Sequence, residues 1–147
     1  MEDLFEGWRQ RLRGAGYRLT RPREAVLEAM AESDAALTAA EVHRRARQRY
    51  PSLGLVTVYR TLDLLVGLGL VHRLPTEAGD LVYARADLSP HGHLLVCRVC
   101  RRAVEVPCWG LEEETRALEE QTGFTIQGHW LELFGLCPAC QGEGEEG

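Results

Sequence analysis

Gly54-Leu55-Val56-Thr57-Val58-Tyr59-Arg60-Thr61-Leu62-Asp63-Leu64-Leu65-Val66 is the stretch on which the fold turns. Its apolar residues Leu55, Val58, Leu62, Leu65 and Val66 fall in one stripe at about 3.6 residues per turn, and the run stops before Gly69. Arg60 and Asp63 lie opposite the stripe, flanked by Thr57 and Tyr59. The spacing therefore predicts a helix with one buried side and one exposed side that carries Arg and Tyr. Upstream, Thr38 and Glu41 form a capping box ahead of Val42 and Ala46, in a helix that ends before Pro51. Thr20 caps another helix, with Arg21-Pro22 at its start, Glu24 in its first turn and Val26, Leu27 and Met30 on one side. Leu4 to Leu12 is a short amphipathic stretch ended by Gly14 and Gly16. Downstream, Leu70–Leu74 and Leu81–Ala84 read as strands joined by the turn-prone Glu77-Ala78-Gly79-Asp80. Helices followed by a hairpin predict a winged helix-turn-helix. Such a module presents the exposed face of its second helix to a DNA major groove.

The second half is organised by two CxxC pairs, Cys97-Arg98-Val99-Cys100 and Cys137-Pro138-Ala139-Cys140. Each spacing brings two thiolates onto one ion, and together they supply the four soft ligands of a closed tetrahedral structural Zn²⁺ site. One CxxC alone is also compatible with a redox pair; two in the last third of a chain favour the metal. The 36 residues between Cys100 and Cys137 exceed the loop of a simple zinc ribbon, so a small subdomain is expected between the knuckles. Its expected elements are strands around Leu94–Val96 and Ala103–Val106, a helix from Trp109 to Gln121 and a strand from Phe124 to Phe134. Cys108 stands outside the zinc count, as a small buried hydrophobe or an extra ligand.

Residues 1–86 hold 13 Arg against 11 acids, while residues 87–147 hold 4 Arg against 11 acids. The net charge of −5 thus hides a basic first part and an acidic second one. Arg9, Arg11, Arg13, Arg18, Arg21 and Arg23 run with no acid between them, as do Arg44, Arg45, Arg47, Arg49 and Arg60. A basic surface is the electrostatic footprint of phosphate binding, although a solvated Arg-rich face has the same composition. No apolar run reaches the ~20 residues of a membrane span. With no secretory signal and an odd total of five Cys, a disulfide framework is disfavoured and the cytoplasm is the expected compartment. The expected organisation is α+β. It has a DNA-binding domain at 1–86, a hinge at 87–92, a dimerisation and metal-binding domain at 93–141, and a disordered acidic tail at 142–147.

Several linked motifs resemble the ferric uptake regulator family over roughly residues 10–140. They are Leu19-Thr20-Arg21-Pro22-Arg23, Gly54 through Leu62, His91-Gly92-His93 leading into Cys97-x-x-Cys100, and Leu131-Glu132-Leu133-Phe134-Gly135-Leu136-Cys137-x-x-Cys140. The resemblance implies a homodimeric, metal-dependent transcriptional regulator, most simply a repressor, acting on a double-stranded DNA operator. It implies neither membrane nor small organic substrate, and no catalytic residues. Arg18, Thr57, Tyr59 and Arg60 match DNA-contacting positions; Arg60 suits bidentate bonds to guanine and Tyr59 suits thymine methyls.

His91 and His93 lie six and four residues before Cys97, Glu112 lies twelve after Cys100, and His129 twenty-nine after it. These intervals match one regulatory metal site of the family, with His93 where an Asp is common. Three imidazoles and a carboxylate suit Fe²⁺ or Zn²⁺, and also Co²⁺ or Ni²⁺, better than Mg²⁺ or Mn²⁺. A second family site falls on Ala36, Ala84, Gly92 and Leu94, with only Glu105 acidic, so it is expected to be dismantled. His43 and His72 match no role and are expected at the surface. His129 is expected on a strand face with Leu131 and Leu133. A zinc enzyme would need an open metal position, which four protein ligands do not leave. A constitutive regulator, a sensor of a metal other than iron, or an interaction module without DNA binding are the alternatives.

Overall fold

The computed structural model describes residues 2–76, 78–86, 93–107, 110–129 and 131–142. Four helices, α1 (Glu2–Gly14), α2 (Arg21–Ala31), α3 (Ala39–Ala46) and α4 (Leu55–Gly67), precede a hairpin of β1 (Val71–Pro75) and β2 (Leu81–Arg85). Then come β3 (His93–Cys97), β4 (Ala103–Val106), α5 (Glu112–Thr122), β5 (Glu132–Gly135) and α6 (Pro138–Gln141).

Local chemistry sets most helix ends. At α2, Thr20 Oγ1 accepts from the Arg23 amide at 3.3 Å. At α3 the capping box closes both ways: the Glu41 amide donates to Thr38 Oγ1 at 3.2 Å, and the Thr38 amide to Glu41 Oε1 at 3.5 Å. Such a cap contributes about 1 kcal/mol. Helix α1 runs two residues past Leu12 because its stop is a Schellman turn at Gly16 (φ +87°), where Tyr17 N donates to Leu12 O and Gly16 N to Arg13 O. Helix α4 ends the same way at Gly69 (φ +74°), with Leu70 N bonded to Leu65 O and Gly69 N to Val66 O.

The apolar stripes of these helices meet in one core. Leu12, Val26, Leu27, Met30, Val42, Val58, Leu62 and Leu65 are all fully buried there, with Trp8 from α1 and Tyr83 from the hairpin. Each such large side chain stabilises the fold by about 1.5–3 kcal/mol. Antiparallel pairing from Val71↔Arg85 to Pro75↔Leu81 forms the wing.

In the second half β3 is the central strand, antiparallel to β4 and parallel to β5. Two expectations fail here. The strand expected over 124–134 shrinks to Glu132–Gly135, because β3 offers a ladder only to those residues. Earlier in that segment the amides turn to α5 side chains, Phe124 N to Thr122 Oγ1 and Ile126 N to Glu119 Oε1. The helix expected from Trp109 starts at Glu112, since Gly110 has φ +57° and leaves the helical region. Residues 87–92 of the expected hinge and 143–147 of the tail lie outside the described residues, as do Cys108 and Trp109.

The two halves also touch directly, which sequence reasoning missed. Ala36, Leu74, Val82 and Ala84 from the first half pack with Leu94, Val96 and Ala103 from the second. An antiparallel bridge joins Ala35 to Arg102, Ala36 N donates to Arg101 O at 2.8 Å, and Ala103 N donates to Asp34 O at 3.0 Å.

Candidate functional site

Three surfaces matter: a thiolate cluster, an imidazole cleft and the outer face of α4. The four cysteines come together from the end of β3 and the turn after it, and from the cap and first turn of α6. Their ligand atoms all lie within 4.8 Å of one another, and they are the one group of three or more possible ligands so placed among the described residues. Cys100 Sγ and Cys137 Sγ are 3.7 Å apart. A tetrahedral Zn²⁺ with bonds of about 2.3 Å sets its sulfurs about 3.8 Å apart, so the cluster fits that ion.

The electrostatics point the same way. The backbone N–H of Cys137, 3.4 Å from Cys97 Sγ, and then that of Cys100 hold the Cys97 thiol down to about 6. Cys140, crowded by Cys137 first and then by burial and the remaining sulfurs, is pushed up to about 12. Four sulfurs this close do not all ionise without a cation among them. Cys97 is buried and Cys100 exposed, with Cys137 half-buried between them in accessibility.

A cleft of about 660 Å³ separates the end of α4 and β1 from β3, the start of α5 and the segment before β5. His93, Glu112 and His129 line it, as do His72 and Glu132. His93 is buried, and its Nε2 is 3.4 Å from Nε2 of His129, with ring centroids 5.0 Å apart and planes inclined by 36°. Two imidazole nitrogens on one tetrahedral Zn²⁺ stand about 3.3–3.4 Å apart, so this pair has ligand spacing. Glu112 does not join them in a three-ligand group; its carboxylate folds over Gly110 instead, where a Cβ would lie 2.5 Å from Glu112 Oε2. His91 lies outside the described residues. His129 is not on a strand and is exposed, contrary to the expected strand face with Leu131 and Leu133, because β5 begins only at Glu132.

Two other histidines depart from the expected surface positions. His43 is half-buried with Nε2 2.7 Å from Leu53 O, tying α3 to the loop before α4. His72, on β1, sits 3.7 Å from Oε1 of Glu105, whose side chain is only 3 % exposed. Burial raises the Glu132 carboxyl above its ordinary value, and the charge of His72 opposes that shift. A short wing strand packed on a second sheet gave no sequence signal for the His72 contact. Ala36, Ala84 and Leu94, at the positions of the expected dismantled site, are buried in the apolar cluster between the halves; Gly92 lies outside the described residues.

On α4, Tyr59 is 47 % exposed, Arg60 is exposed and Thr57 half-buried. Gly54 caps the helix without a side chain, and the first turn holds no acid. The helix N-terminus therefore keeps its partial positive charge for an incoming anion. Asp63, the acid on this face, is bonded by Arg73 of the wing. Arg18 is exposed just ahead of α2, and its carbonyl accepts from Arg23 at 2.6 Å.

A winged helix-turn-helix followed by a thiolate-stapled αβ unit defines a class of two-domain, metal-binding proteins. The ferric uptake regulator family profile matches residues 14–134, and the chain belongs to that family. It is 37 % identical over 127 residues to a zinc uptake regulation protein of Mycobacterium tuberculosis, covering 86 % of this chain and 97 % of that one. It is 34 % identical to the ferric uptake regulation protein of Bacillus subtilis, covering 99 % of this chain and all of the relative. Among solved structures, a zinc uptake regulator complexed with zinc and DNA superposes with a TM-score of 0.77 at 28 % identity, over 98 % of this chain and 97 % of the other.

Proposed function

We propose that this chain is a metal-dependent transcriptional regulator, a repressor, that binds a double-stranded DNA operator as a homodimer in the cytoplasm and catalyses no reaction. The observation that carries the reading is the outer face of α4, where Tyr59 and Arg60 stand exposed beside an acid-free helix start. Arg60 offers a fork to guanine, Tyr59 an apolar edge to thymine, Thr57 a hydroxyl beside them, and Arg18 a cation to the adjoining minor groove. The dimer surface is the sheet face turned away from the first half. Leu95 pairs in register with Val104 and Leu133, and all three are exposed. Apolar residues in such a patch are those a second copy would cover.

Cys97, Cys100, Cys137 and Cys140 hold a structural Zn²⁺. His91, His93, Glu112 and His129 hold a second divalent ion, Zn²⁺ or Fe²⁺ by ligand type. A bound ion supplies directional bonds between segments that otherwise border a solvent-filled cleft. His93 on β3 and His129 before β5 already face each other, and Glu112 swings from Gly110 to join them. Through His91 in the expected hinge, such an ion would fix the angle of the winged helix and so the spacing of two recognition helices against two half-sites.

The test is operator selection from random duplex DNA with demetallated dimer reloaded with one metal at a time. Sequence-specific binding that appears with one of Zn²⁺, Fe²⁺, Mn²⁺, Co²⁺ or Ni²⁺ supports the reading and names the metal. A second reading, a regulator that binds DNA constitutively, is favoured by the apolar cluster that joins the halves without any ion. It predicts equal operator affinity with and without added metal.

A further inference from the structure

We propose that Arg101 is a positioning residue for operator binding: it clamps the DNA-binding half onto the zinc knuckle through Glu41. Among the described residues Arg101 is the one non-glycine with a positive φ, at 64°. Glycine takes that conformation freely, whereas a long side chain with a Cβ strains it, so its presence calls for a reason beyond the turn. The reason lies in what the guanidinium reaches. Nη2 of Arg101 donates to Glu41 at 2.7 Å from Oε1 and 2.9 Å from Oε2, across 60 residues of sequence. Its own carbonyl accepts from Ala36 N at 2.8 Å, and its amide donates to Cys97 O at 3.0 Å.

Arg101 thus bonds the thiolate knuckle on one side and the first half on the other. Glu41 is no isolated surface acid: it closes the capping box of α3, the helix that packs on α4. A continuous path of bonds and packing runs from the zinc knuckle through Arg101 and Glu41 to α3 and the recognition helix. Neither residue lines the imidazole cleft, so the pair works whether or not a regulatory ion is present. Its effect on DNA rests on the function proposed above; its effect on the interface does not.

Two variants test it. Arg101→Gly removes the guanidinium and relieves the left-handed strain, so it leaves the knuckle intact or firmer. Glu41→Gln removes the charge and keeps an N3 side chain able to close the capping box. Both are expected to retain one zinc per chain and the dimer. The Ala36 and Ala103 amides, bonded across the interface, should exchange hydrogen roughly tenfold faster or more in both variants. Affinity for a two-half-site operator selected by wild-type protein should fall by roughly the same factor, while affinity for a duplex with one half-site stays unchanged. Unchanged exchange at Ala36 and Ala103 in Arg101→Gly overturns the clamp. Faster exchange with an unchanged ratio of operator to half-site affinity overturns the positioning role. If wild-type protein selects no DNA, the regulator reading fails, and the exchange result still decides whether Arg101 holds the halves together.

Discussion

The Nε2 atoms of His93 and His129 stand 3.4 Å apart, one on the central strand and the other on the irregular segment before β5. That spacing suits one shared proton or one shared ion, and the two differ in consequence. If the pair is part of the regulatory site, His93→Ala should leave the thiolate zinc and the dimer intact yet abolish metal-dependent operator binding. Metal titration beside a gel-shift assay reads both. A His93→Ala dimer that still requires metal moves sensing elsewhere.

Gly110 and Glu112 give a second handle on the same site. Gly110 has φ +57°, and an added Cβ would meet Glu112 Oε2 at 2.5 Å. Gly110→Ala should cost about 1 kcal/mol of stability through its backbone. It should also push the carboxylate off the turn and change affinity for the exchangeable metal alone. Calorimetric metal titration is the check, and an unchanged second affinity would remove Glu112 from the site.

The cysteine cluster should behave as a folding element. Zinc held by four thiolates is worth on the order of 10 kcal/mol, most of it appearing as folding energy. Cys100→Ser is expected to lose zinc and the dimer together, measured by metal analysis and sedimentation. A variant that keeps both would refute the structural role.

Arg60→Ala should lose about 1–3 kcal/mol of discrimination if Arg60 reads a base. A phosphate contact would instead weaken all sequences alike and flatten the salt dependence. Binding to selected and scrambled duplexes at two ionic strengths separates the two. Unchanged affinity for every duplex would place Arg60 outside the interface.

The hydrogen bond from Arg101, ahead of that from Thr38, holds the Glu41 carboxyl below its ordinary value, against an opposing burial effect. A depressed carboxyl contributes stability above its unfolded pKa and loses it as pH falls through the folded one. The stability gap between wild type and Glu41→Gln should therefore be full near pH 6 and shrink towards about pH 3. Denaturant titrations of both proteins across that range test the sign; a gap that widens in acid would contradict it.

Sequence by itself determined what depends on neighbours within a turn or two. Thr20, Thr38 and Glu41 announce helix starts because capping is a contact over three residues. The stripe of α4 and the two CxxC spacings are legible for the same reason: both are set by periodicity or by a knuckle four residues long. Only the tertiary structure decided which distant groups meet. Arg101 reaches Glu41 over 60 residues, His93 faces His129 over 36, and His72 lies against Glu105. The first and third pairings follow from how the two halves pack and the second from how the chain returns to β3, matters of shape and chain closure that no local pattern carries. The strand expected over 124–134 failed likewise: alternation marks a residue as fit for a sheet, but a partner strand must be present to pair with it.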